Sequence, residues 1–333
     1  MPVQSFYGLP VKYAAIGDAL MTGNQSLILV PFAFDENKCT GVNVCKSGAY
    51  ETYCKNLCVS LISAKKYNAD SDVALVTNVS LPQKYRQLLT ANGIILYQEA
   101  FDSFVFPDDY LWSLAFYKLC ALEKMVAKYE YQYYAYLDAD VIVQDSFEHI
   151  WRECDDNILL YDINHGLGTA DYAIITSEFS AFTGRKELIT HYGGEFFAAN
   201  RENAGRYIAC CKRIYDEMIS RNFKTSKGDE FIVSLAAHEL KQNVRNAGAY
   251  IFRFWTGAFY LVSTCYRFNA VTVLHLPTEK NHGMIKIFDR YLSKSKFPSK
   301  ERIYRCCHLR RPAFKTTVSV LKNRIFSHGK KDA

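Results

Sequence analysis

The stretch "YAYLDADVIVQ", residues 134–144, carries two aspartates inside an otherwise apolar run. Asp138 and Asp140 are separated by Ala139, and the apolar run resumes at once with "VIV". A carboxylate is costly to bury without a partner, so a core strand needs a reason to carry two of them. Side chains two residues apart on an extended strand point to the same side. The pattern therefore predicts that both carboxylates hold one hard divalent cation, which prefers oxygen ligands.

The segments before this stretch alternate between strand patterns and helix patterns. The strand patterns cover 26–34, 72–79, 93–100 and 133–143, and the helix patterns cover 50–67, 81–92 and 113–128. Such alternation predicts a parallel sheet with helices on its faces. In open α/β sheets, ligands bind beyond the carboxyl ends of the strands, which is where the aspartate pair falls.

The pattern is less regular after residue 145. We expect short strands at 157–162 and 170–182, helices at 201–222 and 229–240, and late strands at 249–255 and 270–276. No linker rich in Gly, Pro or Ser interrupts the chain, so we expect a single domain with two halves. The first half spans 27–145, the second spans 146–290, and a basic extension covers 291–333.

Charge and composition indicate which partners and which cellular location to expect for the protein. The net charge is +6, but residues 300–333 hold ten Lys or Arg against two acids, which leaves the rest of the chain at −2. Such a tail suits an anionic membrane or a nucleic acid, or is simply a solvated helix. The longest apolar run, at 27–34, is too short to span a bilayer, and the N-terminus does not resemble an export signal. We expect a cytoplasmic protein whose 11 cysteines are reduced.

"YLDADVIV", preceded by a four-strand α/β half, resembles the nucleotide-sugar glycosyltransferases of the GT-A fold, a Rossmann-like mixed sheet with helices on both faces. The blood-group-type and glycogenin-like retaining families are the most similar, and the resemblance covers roughly residues 27–285. It implies that Asp138, Ala139 and Asp140 form the D-x-D motif, which binds Mn²⁺ or Mg²⁺ and the donor diphosphate.

Three further stretches carry the resemblance. "LAFYKLCALEKM" is similar to the helix whose basic residue faces the donor, which implies Lys118. "HYGGEFFAAN" is similar to the segment lining the donor sugar and the acceptor pocket, which implies Gly193, Gly194 and, against sugar hydroxyls, Glu195. "KGDEFIVSLAAHEL" resembles the helix start beneath the reacting sugar, which implies Asp229 and Glu230; a helix cap would explain one of these acids, but not both.

The stretch "VTVLHLPTEKNHGMIK", residues 271–286, offers a third metal ligand. In glycogenin-like enzymes a late strand ends in a histidine ligand, followed by a glycine and then a lysine at the leaving phosphate. His275 matches the strand-end position best, and His282 is the alternative. The family spacing is not reproduced, so both Lys280 and Lys286 are candidates for the lysine.

Other candidates follow from the fold and from residue type. The end of the first strand cradles the base in this fold, which implies Pro31, Phe32 and Ala33 at the donor site. Aromatic faces bind sugar rings, which makes Trp112 and Trp255 candidates on the acceptor side.

The resemblance implies a metal-dependent glycosyltransferase, moving a sugar from a UDP-sugar or a similar donor to a saccharide or glycolipid acceptor in surface or viral glycan synthesis. A retaining enzyme would use Glu230 or Glu195 to stabilise the sugar cation or as a nucleophile, whereas an inverting one would use Asp229 or Glu230 as a base.

Two alternatives rank below this reading. A sugar-nucleotide nucleotidyltransferase usually has a Gly-rich basic loop after the first strand, which "VPFAFDENKCTG" lacks. A nucleic-acid-binding protein would work through the basic tail, but the near-neutral body disfavours it, and we expect no nucleic-acid partner.

Overall fold

The structure is a computed structural model that describes residues 25–35, 48–107, 110, 112–164, 170–256 and 266–310. The first 24 residues and residues 311–333 of the basic tail lie outside the described residues. Two sheets, one of seven strands and one of three, form the centre of the described chain.

The first half of the large sheet is parallel, in the order β3-β2-β1-β4. Its elements, in chain order, are β1 (Ser26–Phe32), α1 (Ala49–Tyr67), β2 (Asp72–Thr77), α2 (Gln83–Ala91), β3 (Ile95–Gln98), α3 (Tyr117–Lys128) and β4 (Tyr133–Leu137). A 3₁₀ turn at Ser113–Phe116 precedes α3. Every residue of β1 is buried, as expected for a strand covered on both faces.

The second half makes the sheet mixed. Its elements are β5 (Val141–Val143), α4 (Glu148–Glu153), β6 (Ile158–Asp162), α5 (Ala170–Thr183), β7 (Tyr192–Asn200), α6 (Arg201–Ser220), α7 (Asp229–Glu239), β8 (Val244–Asn246), β9 (Ile251–Arg253), β10 (Val273–His275), α8 (Gly283–Lys294) and α9 (Lys300–Cys306). The large sheet continues from β4 through β7, β6 and β8, with β7 antiparallel to both β4 and β6. The small sheet has the order β5-β10-β9.

Helices cover both faces of the large sheet. Alternate residues of β1 enter two different cores: Ile28 and Val30 pack with α1 and α2, whereas Leu27 and Leu29 pack with α3, α6 and α7. This arrangement confirms the predicted α/β fold class, a mixed sheet with helices on both faces. The predicted division at residues 145 and 290 stays a prediction.

The aspartate pair lies in a break between the two sheets. The predicted strand at 133–143 is wrong as one element, because β4 ends at Leu137 and β5 starts at Val141 and pairs with β10 in the small sheet. Asp138 and Asp140 therefore lie in a turn and not on an extended strand. The apolar composition of the "VIV" run reflects its burial. The sequence therefore does not reveal which sheet this strand joins.

The predicted strand at 170–182 is also wrong, since this segment forms α5. Its buried residues, Tyr172, Ile175, Phe179 and Phe182, recur at helical spacing and not at every second position. The adjacent Ile174 and Ile175 suggested a strand because β-branched residues favour that conformation, but Ile174 is exposed.

The C-terminal helices belong to the packed structure. Ile303, Tyr304 and Cys307 of α9 and its end join the core beside α1. Among the described residues, no helix combines the length and the apolarity that crossing a bilayer requires. The cysteines in the described ranges are all free thiols.

Candidate metal and donor site

Asp138, Asp140 and His275 converge at the junction of the two sheets. One ligand atom from each lies within 4.8 Å of the other two. His275 Nε2 is 3.4 Å from Asp140 Oδ2 and 4.0 Å from Asp138 Oδ2. The structure thus brings together the three residues that the sequence nominated as metal ligands.

Backbone hydrogen bonds fix the three ligands relative to one another. His275 pairs in register with Val141, the residue after Asp140. The amide of Leu276 donates to the carbonyl of Asp140 at 3.0 Å, and the amide of Asp138 donates to the carbonyl of Glu195 at 3.1 Å. The geometry of this group is therefore a property of strand pairing and not of mobile side chains alone.

This group fits a divalent cation. Two carboxylates and one imidazole are ligands that Mn²⁺ and similar ions accept in proteins. Asp140 Oδ2 is buried and makes no hydrogen bond of good geometry, although His275 and the Lys280 ammonium approach it. A buried carboxylate oxygen left in this way has coordination capacity for an ion.

Two lysines flank the group, one on each aspartate. Lys280 Nζ lies 3.1 Å from Asp140 Oδ2, and Lys118 Nζ lies 3.2 Å from Asp138 Oδ1. Lys118, on α3, also pairs with Asp229 at 2.8 Å. Each aspartate of the pair therefore has a lysine ammonium group within ion-pair distance.

The charges around Asp140 and His275 stabilise each other. Burial alone would raise the pKa of Asp140, but Lys280 and His275 together hold it well below its usual range. Burial alone would lower the pKa of His275, but Asp140 and Glu195 raise it to about 9. In the absence of a cation, His275 is therefore protonated at neutral pH.

Glu195 and Arg253 form a buried ion pair behind His275. Arg253 Nε donates to Glu195 Oε1 at 2.7 Å and Arg253 Nη2 donates to Oε2 at 2.6 Å. Burial opposes ionisation of Glu195, but Arg253 and His275 outweigh it and keep its pKa far below the ordinary value. Arg253 was not nominated from the sequence, although a charge inside the apolar run "AYIFRFW" is the same kind of signal as Asp138 in its own run.

Glu230 is the most accessible of the three nominated catalytic carboxylates. Its side chain is 23% exposed, against 8% for Asp229 and 0% for Glu195. His191 Nε2 lies 3.0 Å from Glu230 Oε2, and Arg253 Nη2 donates to Oε1 at 3.1 Å. Burial would raise the pKa of Glu230, but these two partners lower it, so the group is a carboxylate at neutral pH.

Asp229 differs from its neighbour Glu230. Burial raises the pKa of Asp229 to about 6, despite the opposing effect of Lys118. Its carboxylate is already engaged by that lysine at the start of α7. The structure therefore gives Asp229 a partner on α3 and leaves Glu230 facing the more open side.

Charged side chains fill the space next to the Cα atoms of Gly193 and Gly194, which leaves no room for a larger residue at either position. A Cβ on Gly194 would lie 2.0 Å from Asp229 Oδ2 and 2.8 Å from Lys118 Nζ. A Cβ on Gly193 would lie 1.9 Å from Glu195 Oε2. The two glycines therefore make room for the Lys118–Asp229 and Arg253–Glu195 ion pairs.

A cavity of about 180 Å³ opens at the carboxyl ends of β1, β2 and β3. It is lined by Phe34, Asp35, Asn78, Phe101, Val105, Phe106, Ser113 and Leu114. Of the nominated base-site residues, Pro31 and Phe32 are buried within β1, and Ala33 is half-buried at its end. The cavity therefore begins one residue beyond the nominated positions, at Phe34, whose backbone N–H and C=O are hydrogen-bonded to the Asn78 side chain.

The group of potential metal ligands includes none of the remaining candidates. His282 precedes α8 and is exposed, and Lys286 lies on the exposed side of that helix. Trp112 packs against Gly228 at the start of α7, where a Cβ would lie 2.9 Å from the Trp112 Cβ. Trp255 is half-buried two residues after Arg253.

Similarity to known proteins is found among solved structures. No protein-family model and no curated protein matches the sequence. A galactosyltransferase, LgtC, solved in complex with donor and acceptor sugar analogs, is 16% identical, with a TM-score of 0.48 over 75% of this chain and 86% of that chain. A similarity of this degree supports no conclusion about activity, which has to come from the site.

Proposed function

We propose that this protein is a metal-dependent glycosyltransferase of the GT-A type, which moves a sugar from a nucleoside diphosphate, a UDP-sugar in the first instance, to a saccharide acceptor. The observation that carries the proposal is the convergence of Asp138, Asp140 and His275. These residues would hold Mn²⁺ or Mg²⁺. A bound divalent cation supplies Lewis-acid stabilisation of the charge that develops on a departing diphosphate.

The charge balance of the site supports a cation together with an anion. Five carboxylates and four side-chain cations are linked by ion pairs, a formal charge of −1 with His275 protonated; they are Asp138, Asp140, Glu195, Asp229 and Glu230 against Lys118, Arg253, Lys280 and His275. A diphosphate alone would be repelled by this excess. We therefore expect nucleotide binding to require the cation.

The lysines and the cavity supply the rest of a donor site. Lys280 and Lys118 each lie beside one aspartate, where their ammonium groups would bind oxygens of the diphosphate. The cavity that begins at Phe34 lies at the carboxyl ends of the parallel strands, the usual ligand side of such a sheet. Its aromatic lining suits the face of a nucleobase.

Glu230 is the residue we assign to the reacting sugar. Its partners His191 and Arg253 keep it ionised, and it is partly exposed. A carboxylate in that state stabilises an oxocarbenium-like transition state. We propose a retaining reaction, as the resemblance to retaining families implies, and product stereochemistry by NMR decides between retention and inversion.

The setting expected from the sequence belongs to the same proposal: a cytoplasmic enzyme that contributes to surface or viral glycan, with a saccharide or glycolipid acceptor and peripheral contact of its basic tail with an anionic membrane. Exposed Lys294, Lys296, Arg302 and Arg305 extend that basic surface into the described residues. Flotation with anionic vesicles, comparing the full chain with one ending at residue 310, tests the contact.

The test of the proposed activity is a panel of nucleotide sugars, with and without Mn²⁺, scored for acceptor-independent hydrolysis. We expect metal-dependent release of nucleoside diphosphate from the wild type and its loss in Asp140→Asn. Asp70→Asn is the matched control, because Asp70 is exposed in a second D-x-D sequence, Asp70-Ser71-Asp72, that lies outside the site. No hydrolysis or binding of any nucleotide sugar would contradict the proposal.

A further inference from the structure

We propose that Glu195 is a positioning residue, whose carboxylate orients the His275 ring so that Nε2 presents an electron pair to a cation held by Asp138 and Asp140. The inference rests on the proposed function, since it assumes that the site takes a metal. It gives Glu195 a role different from contact with the sugar, for which the sequence nominated it.

The burial of Glu195 argues against contact with a substrate. Its side chain is fully buried, and both of its oxygens are engaged. Oε1 lies 3.1 Å from His275 Nδ1 and 2.7 Å from Arg253 Nε, while Oε2 lies 2.6 Å from Arg253 Nη2. A nucleophile or a sugar-binding carboxylate needs an accessible oxygen, which Glu195 lacks.

The contact with Nδ1 determines what the other ring nitrogen can do. A neutral imidazole carries one proton, and a carboxylate beside Nδ1 holds that proton there. Nε2 then keeps its electron pair, and it is this atom that faces Asp140 Oδ2 at 3.4 Å and Asp138 Oδ2 at 4.0 Å. Hydrogen bonds of this type orient histidine ligands in many metal sites.

Two further features keep Glu195 in place. Arg253 lies opposite His275 in the β9–β10 pairing and compensates the buried charge of Glu195. The missing Cβ of Gly193 leaves the space that this ion pair fills. The backbone carbonyl of Glu195 also accepts the amide proton of Asp138, so that one residue positions two of the three ligands.

The test measures Mn²⁺ affinity by electron paramagnetic resonance in wild type and Glu195→Gln. We expect binding to weaken by about 10–100-fold, with most of the lost turnover recovered at saturating Mn²⁺. Most of the affinity loss should disappear in a His275→Ala background, because the effect passes through that ring. Glu202→Gln, an exposed site at the start of α6, is the matched control.

Two results would overturn the inference. Unchanged Mn²⁺ affinity with lost turnover would make Glu195 a reacting group, and an equal affinity loss with and without His275 would show that Glu195 acts by charge alone. Failure of the wild type to bind Mn²⁺ would instead overturn the proposed function itself, and this inference with it.

A measurement on the wild type covers the case in which Glu195→Gln does not fold. In ¹⁵N-histidine-labelled protein with Zn²⁺ as a diamagnetic probe, NMR reports which ring nitrogen carries the proton. We expect the metal on Nε2 of His275 and the proton on Nδ1. A metal on Nδ1, or a proton on Nε2 in the loaded protein, would contradict the assignment.

Discussion

The Lys280 ammonium lies 3.1 Å from Oδ2 of Asp140, on the carboxylate that we propose as a metal ligand. A cation of the protein itself thus occupies one side of this carboxylate, and a metal ion has to share or displace it. Lys280 is held there by charge: burial would lower its pKa, but Asp140 raises it. Removing the Lys280 charge should therefore strengthen metal binding and slow turnover.

Lys280→Met keeps the apolar stem but removes the competing charge. We expect Mn²⁺ to bind roughly tenfold more tightly, which corresponds to about 1.4 kcal/mol, while turnover falls because the diphosphate loses a partner. Lys294→Met is the control, because Lys294 is exposed at the end of α8 and was not nominated for the donor site. Isothermal titration gives the affinity, and weaker Mn²⁺ binding in Lys280→Met would contradict this account.

Metal affinity should rise with pH. The pKa of His275 is raised to about 9 in the metal-free protein, so below that pH a cation has to displace the Nε2 proton. The apparent affinity should therefore rise close to tenfold per pH unit from pH 6.5 to 8.5 and level off above 9. Titrations in buffers of different ionisation enthalpy should show about one proton released per ion. His275→Asn should flatten the slope, and a pH-independent wild type would refute the role of His275.

Gly194→Ala should damage both fold and activity. The added Cβ would lie 2.0 Å from Asp229 Oδ2 and would push Asp229 away from Lys118. We expect the free energy of unfolding to fall by about 1–3 kcal/mol. Gly205→Ala is the matched control, because a Cβ there meets nothing within 4 Å inside α6 and should stabilise the helix by about 0.5–1 kcal/mol. Urea unfolding measures both, and equal effects of the two substitutions would be inconsistent with the packing described.

Glu230→Gln should separate chemistry from binding. The residue is linked to His191 and Arg253 but not to Asp138, Asp140 or His275 by any described ion pair. We expect Mn²⁺ and nucleotide affinity to change little, while kcat falls by at least about 100-fold, the usual scale for removing a charge-stabilising group. Glu202→Gln again serves as control. A kcat within a few-fold of the wild type would exclude Glu230 from the chemistry.

The sequence predicted the elements in which buried residues recur at a regular spacing along the chain. The predicted helices at 50–67 and 201–222 correspond to α1 and α6, and the buried run at 26–34 contains β1. It also nominated Asp138 and Asp140, because charged residues at a strand end stand out in an apolar context, and His275, because its strand-end position matches the histidine ligand of the glycogenin-like family that the sequence resembles. Both kinds of signal are local along the chain.

What the sequence could not predict depends on partners distant along the chain. The break between β4 and β5 arises because β5 pairs with β10, more than 120 residues later. The role of Arg253 follows from its contact with Glu195 across two sheets. The space above Gly193 and Gly194 is filled by side chains from β7, β9, α3 and α7, which no spacing along one element reveals.

Equilibrium binding of uridine diphosphate, measured by calorimetry with and without Mn²⁺, tests the central claim most directly. We predict that the wild type binds the nucleotide in the presence of Mn²⁺, and that Asp138→Asn or Asp140→Asn, each properly folded by circular dichroism, loses this binding. Equal nucleotide binding with and without the metal, or full Mn²⁺-dependent binding in both aspartate variants, would contradict the account.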